Sequence, residues 1–175
     1  MINKIDAVIL YFFNTTCHSA LCDRVMPLVT QLGDGFFLFI AALILLVPRD
    51  KRARAAGILL MAGMTFSYHI VSVIKDLTAR PRPFHALDNV NTLFTSSGYS
   101  FPSNHAAMAF MAAAVLSAYF GKRVLFFSLA LIAALSRVYL GAHYFTDVLA
   151  GALLGFLTGY ILTRIMDSSG TNSRA

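Results

Sequence analysis

From Ala55 to Ile74 the chain runs through twenty consecutive residues without a single Asp, Glu, Lys or Arg. That stretch constrains the molecule more than any other. A bilayer core is crossed by about 20 apolar residues in a helix, and in lipid the backbone groups must be satisfied internally. Four further stretches share its character: Val25–Val47, Ala106–Phe120, Val124–Ala142 and Tyr144–Arg164. The first of these is interrupted by Pro27 and by the triplet Gly33-Asp34-Gly35. The expected fold is therefore an all-α integral membrane protein, with five transmembrane helices plus an N-terminal interfacial helix over residues 3–20.

Composition agrees. Apolar residues make up 58% of the 175 and charged ones 13%, against about 45–50% and about 25% in soluble domains. There are 14 Lys and Arg against 8 acidic residues, all Asp, for a formal net charge of +6. A basic balance can signal nucleic acid, but these cations sit in short groups between apolar runs, as topology determinants do. No nucleic-acid partner is expected. No linker divides the chain, so residues 1–175 read as one domain, with an interfacial N-terminal segment 1–24 and a long external loop 79–104. Ala7–Phe13 is too short an apolar run for a secretory signal, and Asp6 offsets the one preceding cation, Lys4. Cys17 and Cys22 read as ordinary thiols, paired only if that end faces an oxidising compartment.

Lys/Arg bias in short loops sets orientation. Arg49, Lys51, Arg52 and Arg54 mark one side as cytoplasmic, and Lys122, Arg123 and Arg164 join them if all five segments cross. The loop 79–104 and the turn near 141–146 then share the opposite face. Short basic loops and compact size point to a multi-pass protein of the bacterial inner (plasma) membrane, its site facing the periplasm or exterior.

Ionisable groups at membrane depth are costly and usually functional. Here they converge on that outer face, in three clusters: Lys75 to Pro83, Pro102 to His105, and Ser136 to Asp147. Lys75, Arg82 and Arg137 supply fixed positive charge suited to phosphate oxygens. Ser103 and the N–H groups opening the next helix, at Asn104, add donors. His143 and Asp147 are spaced i, i+4, so the carboxylate can orient one imidazole nitrogen and leave the other to attack. His105 is a second imidazole, able to protonate a leaving oxygen. Carboxylates are too few there to hold a divalent cation, so no metal and no other cofactor is expected.

Together these clusters resemble the type 2 phosphatidic acid phosphatase superfamily, whose signature reads K-x6-RP, PSGH and SR-x5-H-x3-D. Lys75–Pro83, Pro102–His105 and Ser136–Asp147 match in order and spacing. The resemblance implies a lipid phosphatase in which His143 is the nucleophile, Asp147 its partner and His105 the general acid. It also implies that Lys75, Arg82, Ser103, Asn104 and Arg137 bind phosphate. Asn104 departs from the commonest signature, which has glycine there. Candidate substrates are undecaprenyl diphosphate or lipid A 1-phosphate, then phosphatidylglycerol phosphate or phosphatidate. The alternative is an anionic-lipid transporter or binding protein using the same cationic cavity, which would move substrate without releasing phosphate.

Three features stay outside this scheme. Gly151, Gly155 and Gly159 form a stripe for close helix packing, favoured within the subunit. Asp34, between two glycines, reads as a cap at a helix break or as a functional polar group, with the cap favoured. Arg80 divides evenly between a surface charge and a substrate contact. Phe84, Phe94, Tyr99 and Phe101 are expected to cover the pocket from the long loop.

Overall fold

The structure is a computed structural model that describes residues 4–92 and 97–168. It is all-α. Helix α1 (Lys4–Tyr11) runs into a π-helical turn, Phe12–Thr16, and is followed by α2 (Ala20–Val29), which tightens into a 3-10 turn, Thr30–Gly33. Helix α3 spans Gly35–Leu46, α4 Lys51–Thr78 and the single turn α5 Pro83–Ala86. Helices α6 (Asn104–Phe120), α7 (Arg123–Tyr139) and α8 (Phe145–Ser168) complete the chain.

Polar caps set the boundaries. Asp50 accepts from the N–H groups of Arg52 and Ala53 to open α4, which stops where Ala79 turns left-handed at φ 45°. Ser103 opens α6 through the N–H of Ala106. Asp34 opens α3 through the N–H of Phe36. Side-chain oxygens at these positions satisfy amides that the helix cannot.

Helix α6 lies at the centre, packed against α4, α7 and α8. The glycine stripe of α8 explains how close that packing is. A Cβ at Gly151, Gly155 or Gly159 would come within 2.3, 1.9 and 2.6 Å of the carbonyl oxygens of Ser103, Ala107 and Met111. The stripe works within the subunit, fixing the start of α8 beside the start of α6. Large apolar side chains such as Phe36, Ile40 and Ile44 on α3, Ile58 and Phe66 on α4, and Leu149 and Leu153 on α8 face outward. In a membrane-embedded protein these are the surfaces for lipid.

The expected count of five transmembrane helices is corrected. Among the described residues, two helical segments are long and apolar enough to cross a membrane, Lys51–Ala86 and Phe145–Ser168. The number rises to three if Ala20–Gly33 and Gly35–Leu46, bent by 54° at the Gly33-Asp34 break, form one broken span. Helices α6 and α7 have 17 residues each, so they reach only about 25 Å, short of a core about 30 Å thick. Much of α6 is apolar because its sides are covered by protein, from Ala106 to Val115.

The interfacial N-terminal helix is also corrected. Helix α1 ends at Tyr11, and its Asp6 and Leu10 are buried in the protein. Asn14, fully buried in the π turn, donates to the carbonyls of Asn91 (2.8 Å) and Tyr139 (2.7 Å) and accepts from the N–H of Asn91 (2.8 Å). Tyr11 donates to the carbonyl of Asp88. The N-terminal segment thus ties the loop 79–104 to the end of α7. Cys17 and Cys22 are free thiols.

Candidate active site

A cavity of about 220 Å³ opens where α4 ends and α6 begins, lined by Lys75, Arg82, Asn104, His105, Arg137 and His143 with Tyr68, Val71 and Ser72. Residues 68 positions apart in sequence, from Lys75 to His143, share one chamber because the ends of four helices meet there.

His143 sits in the turn between α7 and α8, two residues before the helix, and is buried. Gly141 takes φ 69°, and the N–H groups of Ala142 and His143 both reach the carbonyl of Arg137. Nδ1 of His143 faces Oδ2 of Asp147 at 3.5 Å, while Nε2 lies 3.3 Å from Nη1 of Arg82. The pair is made across the first turn of α8 rather than along a helix face. Burial, followed by the charges of Arg137 and Arg82, holds the imidazole pKa of His143 well below the ordinary histidine value, so the ring is neutral at neutral pH.

Arg82 is 5% exposed and held by three backbone carbonyls. Its Nε donates to the carbonyl of Gly98, Nη2 to that of Ser97 and Nη1 to that of Ala142. Lys75 donates through Nζ to the carbonyl of Tyr99. The loop therefore closes over the site with its backbone. Of the four aromatics expected to cover the pocket, Phe84, Tyr99 and Phe101 are not among its lining residues, and Phe94 lies outside the described residues. Arg137, 1% exposed, donates through Nη1 to the hydroxyl of Thr30 at 3.0 Å.

Asn104 is the first residue of α6, and its buried Oδ1 has no hydrogen-bond partner among the described residues. Ser103 is buried with its Oγ capping α6 and its N–H bonded to the carbonyl of Asp147. It stands behind the cavity wall, tying the two helix starts together. His105 follows in the first turn, with Nε2 3.8 Å from Oδ2 of Asp34. Burial and then the charge of Arg137 also lower the pKa of His105, while Asp34 opposes them.

Behind the cavity, Arg80 takes neither of the two roles weighed for it from the sequence, and Asp6 joins it in a part the sequence did not signal. Arg80 neither faces solvent nor reaches the cavity. It bridges two buried carboxylates, donating to Oδ1 of Asp147 and, at 2.7 Å, to Oδ2 of Asp6, and its guanidinium lies 4.2 Å over the Tyr144 ring. Asp6 also accepts from the N–H (2.9 Å) and hydroxyl (2.7 Å) of Thr146. Burial pushes the Asp6 carboxyl up, but the hydrogen bonds from Arg80 and Thr146 overcome it and hold the pKa below the usual value. Asp147 is thus held at both oxygens: Oδ1 by Arg80, and Oδ2, the oxygen that faces His143, by the N–H of Tyr144 at 2.9 Å.

The chamber presents fixed cations to an anion, a neutral imidazole beside them, and a second imidazole across the cavity. That combination suits phosphoryl transfer, where catalysis consists largely of positioning and charge stabilisation. A model of the PAP2 superfamily matches residues 56–170. The decaprenylphosphoryl-5-phosphoribose phosphatase of Mycobacterium tuberculosis is 35% identical over 158 residues, covering 84% of this chain and 85% of its own. The lipid A 4'-phosphatase of Bacteroides thetaiotaomicron is 30% identical over 172 residues, covering 91% and 76%. Among solved structures, LpxE of Aquifex aeolicus superposes with a TM-score of 0.82 at 29% identity, over 93% of this chain and 96% of that one.

Proposed function

The chain belongs to the PAP2 superfamily, and from that premise we propose that this membrane phosphatase hydrolyses a lipid-borne phosphate or diphosphate through a phosphohistidine on His143. Its class is the family's metal-independent one. Fixed cations take the part that a divalent ion plays elsewhere.

The observation that carries the reading is the geometry at buried His143, whose Nδ1 faces Asp147 while Nε2 lies beside the Arg82 fork. The phosphoryl oxygens bind Lys75, Arg82, Arg137 and the amides that open α6, including that of Asn104, with Ser103 holding that helix start in register. Nε2 attacks phosphorus and the bond to the leaving oxygen breaks as His105 protonates it. Water then attacks the phosphohistidine, giving its proton to His105 and freeing His143. The imidazolium formed at His143 during attack is stabilised by Asp147.

Relatives that act on a polyprenyl-linked phosphate and on lipid A support a large lipid substrate. Undecaprenyl diphosphate and lipid A 1-phosphate are the first candidates, followed by phosphatidylglycerol phosphate and phosphatidate. The basic residues Arg49, Lys51, Arg52 and Arg54 flank the end of α4 remote from the cavity. By the positive-inside rule that end is cytoplasmic, so the site faces outward from a bacterial inner membrane.

The test is phosphate release by detergent-purified protein in EDTA, from a panel of those four lipids. Release from one of them, suppressed by vanadate and abolished by His143→Ala in a folded protein, is the expected result. Appreciable turnover by His143→Ala overturns the nucleophile. Lipid transfer without phosphate release overturns the phosphatase.

A further inference from the structure

His105 borders a second chamber as well as the cavity already described. This chamber, about 260 Å³, lies between the α2–α3 break and the start of α6, with Thr30, Gln31, Asp34, His105 and Arg137 in its wall. His105 and Arg137 line both spaces. The break is seated firmly. A Cβ at Gly33 would come within 2.5 Å of the His105 carbonyl oxygen, so the chain at Gly33 lies directly against the first turn of α6.

Asp34 divides its two oxygens. Oδ1 accepts from the N–H of Phe36 at 2.9 Å and caps α3, while Oδ2 faces Nε2 of His105 at 3.8 Å. Capping alone would be served as well by Asn or Ser, so the cap does not account for a carboxylate here. The charge does have a counterpart. Lys75 and Arg82 act on His105 from the α4 side and Arg137 from α7, and all three disfavour a proton on the imidazole. Asp147 is committed to Arg80 and Tyr144 behind His143. Among the described residues, Asp34 is the carboxylate found to favour the protonated ring.

We propose that Asp34 is a positioning residue for His105, stabilising the imidazolium that protonates the leaving oxygen and that re-forms when water is deprotonated. This rests on the general-acid reading of His105 given above. In the first half-reaction the His143 Nε2–phosphorus bond forms, the phosphorus–oxygen bond breaks, and the departing oxygen takes the His105 proton. In the second, a water oxygen bonds phosphorus, the nitrogen–phosphorus bond breaks, and the water's proton restores the imidazolium. Asp34 supplies charge throughout and itself gains no proton.

Asp34→Asn tests this, because Asn keeps the capping oxygen and removes the charge. The readout is kcat/KM, which covers steps only through transfer to His143, on two monoester probes: dioctanoyl phosphatidate, with an alkoxide leaving group, and p-nitrophenyl phosphate, whose leaving group needs no proton. One pKa step in His105 is about tenfold in its protonated fraction. The expected loss is therefore about tenfold on the alkyl ester and less than about twofold on the aryl ester. Equal losses on both probes, or none on either, overturn the proposal. An unchanged unfolding temperature in detergent checks the cap, and Asp34→Ser repeats the test with a different capping oxygen. His105→Asn run on the same pair separates the two readings. If it shows no leaving-group dependence, His105 is not the acid. If it does and Asp34→Asn does not, Asp34 is a cap alone.

Discussion

The two imidazoles of the cavity are built to different standards. His143 is buried, its carboxylate partner Asp147 is completely buried, and that partner is held by Arg80 and the Tyr144 amide, with Arg80 in turn held by Asp6 and Thr146. His105 stands in the first turn of a helix with its side chain 23% exposed, facing an Asp34 that is 34% exposed across 3.8 Å. The difference fits the division of labour. A nucleophile must meet phosphorus on one line, and small displacements there cost orders of magnitude in rate. A group that gives and regains protons needs contact with a wetter region and tolerates a looser partner. On the proposed mechanism the tighter set of contacts lies where the covalent bond would form.

The largest effect that sharpens this contrast is expected from Asp147→Asn. The carboxylate receives hydrogen bonds from Arg80 and the Tyr144 amide, and an amide there would set an N–H against one of those donors. It would also remove the charge that stabilises the His143 imidazolium. A fall in kcat of about 10³–10⁴-fold is expected in phosphate-release assays, two orders or more beyond Asp34→Asn. Comparable losses from the two variants would dissolve the contrast between a braced half and a loose one.

Next in size is Arg80→Ala. It leaves the Asp6 and Asp147 carboxylates, 1% and 0% exposed, without their shared cation. Breaking such a buried pair on one side costs about 3–5 kcal/mol, to be read as a lowered unfolding midpoint in detergent. Arg80→Lys should recover only part, since a point charge cannot span two carboxylates as a guanidinium fork does. A thermal midpoint unchanged in Arg80→Ala would show that the brace contributes nothing to the fold.

The same contrast governs what could be read from the sequence. The cations and imidazoles that line the cavity were legible because phosphate chemistry demands them and because Lys75–Pro83, Pro102–His105 and Ser136–Asp147 carry them at fixed spacing, whereas Tyr68, Val71 and Ser72 of its wall were not. The brace was not. Asp6 lies 74 residues from Arg80 and reads locally as a charge offsetting Lys4, while Arg80 reads equally as a surface charge or a substrate contact. Asp34 was legible as a cap, which it is, but not as a neighbour of His105. The all-α class followed from apolar runs. The number of spans did not, because an apolar residue covered by protein and one covered by lipid look alike in sequence. The Ala-rich face of α6 is the former.

The smallest expected effect is on pH dependence, and it separates the halves without a mutation. On the proposed mechanism His143 reacts when neutral, and its pKa is held below the ordinary histidine value by burial and by Arg137 and Arg82. A lowered pKa favours the neutral ring, so protonation that quenches attack sets in only at more acid pH. The acid limb of kcat/KM should therefore lie below about 6.5, the ordinary histidine value. The alkaline limb reports loss of the proton needed by the leaving oxygen. Burial and Arg137 lower the pKa of His105, so on the proposed mechanism the proton it passes on arrives with a phosphate whose second pKa is about 6. Changing a monoester for a substrate of different phosphate pKa should then move the alkaline limb and leave the acid limb in place, because the acid limb belongs to the protein. Profiles measured on two such lipids decide it. An acid limb that follows the substrate would mean that His143 is not the group titrating there, and the neutral, braced nucleophile would fall with it.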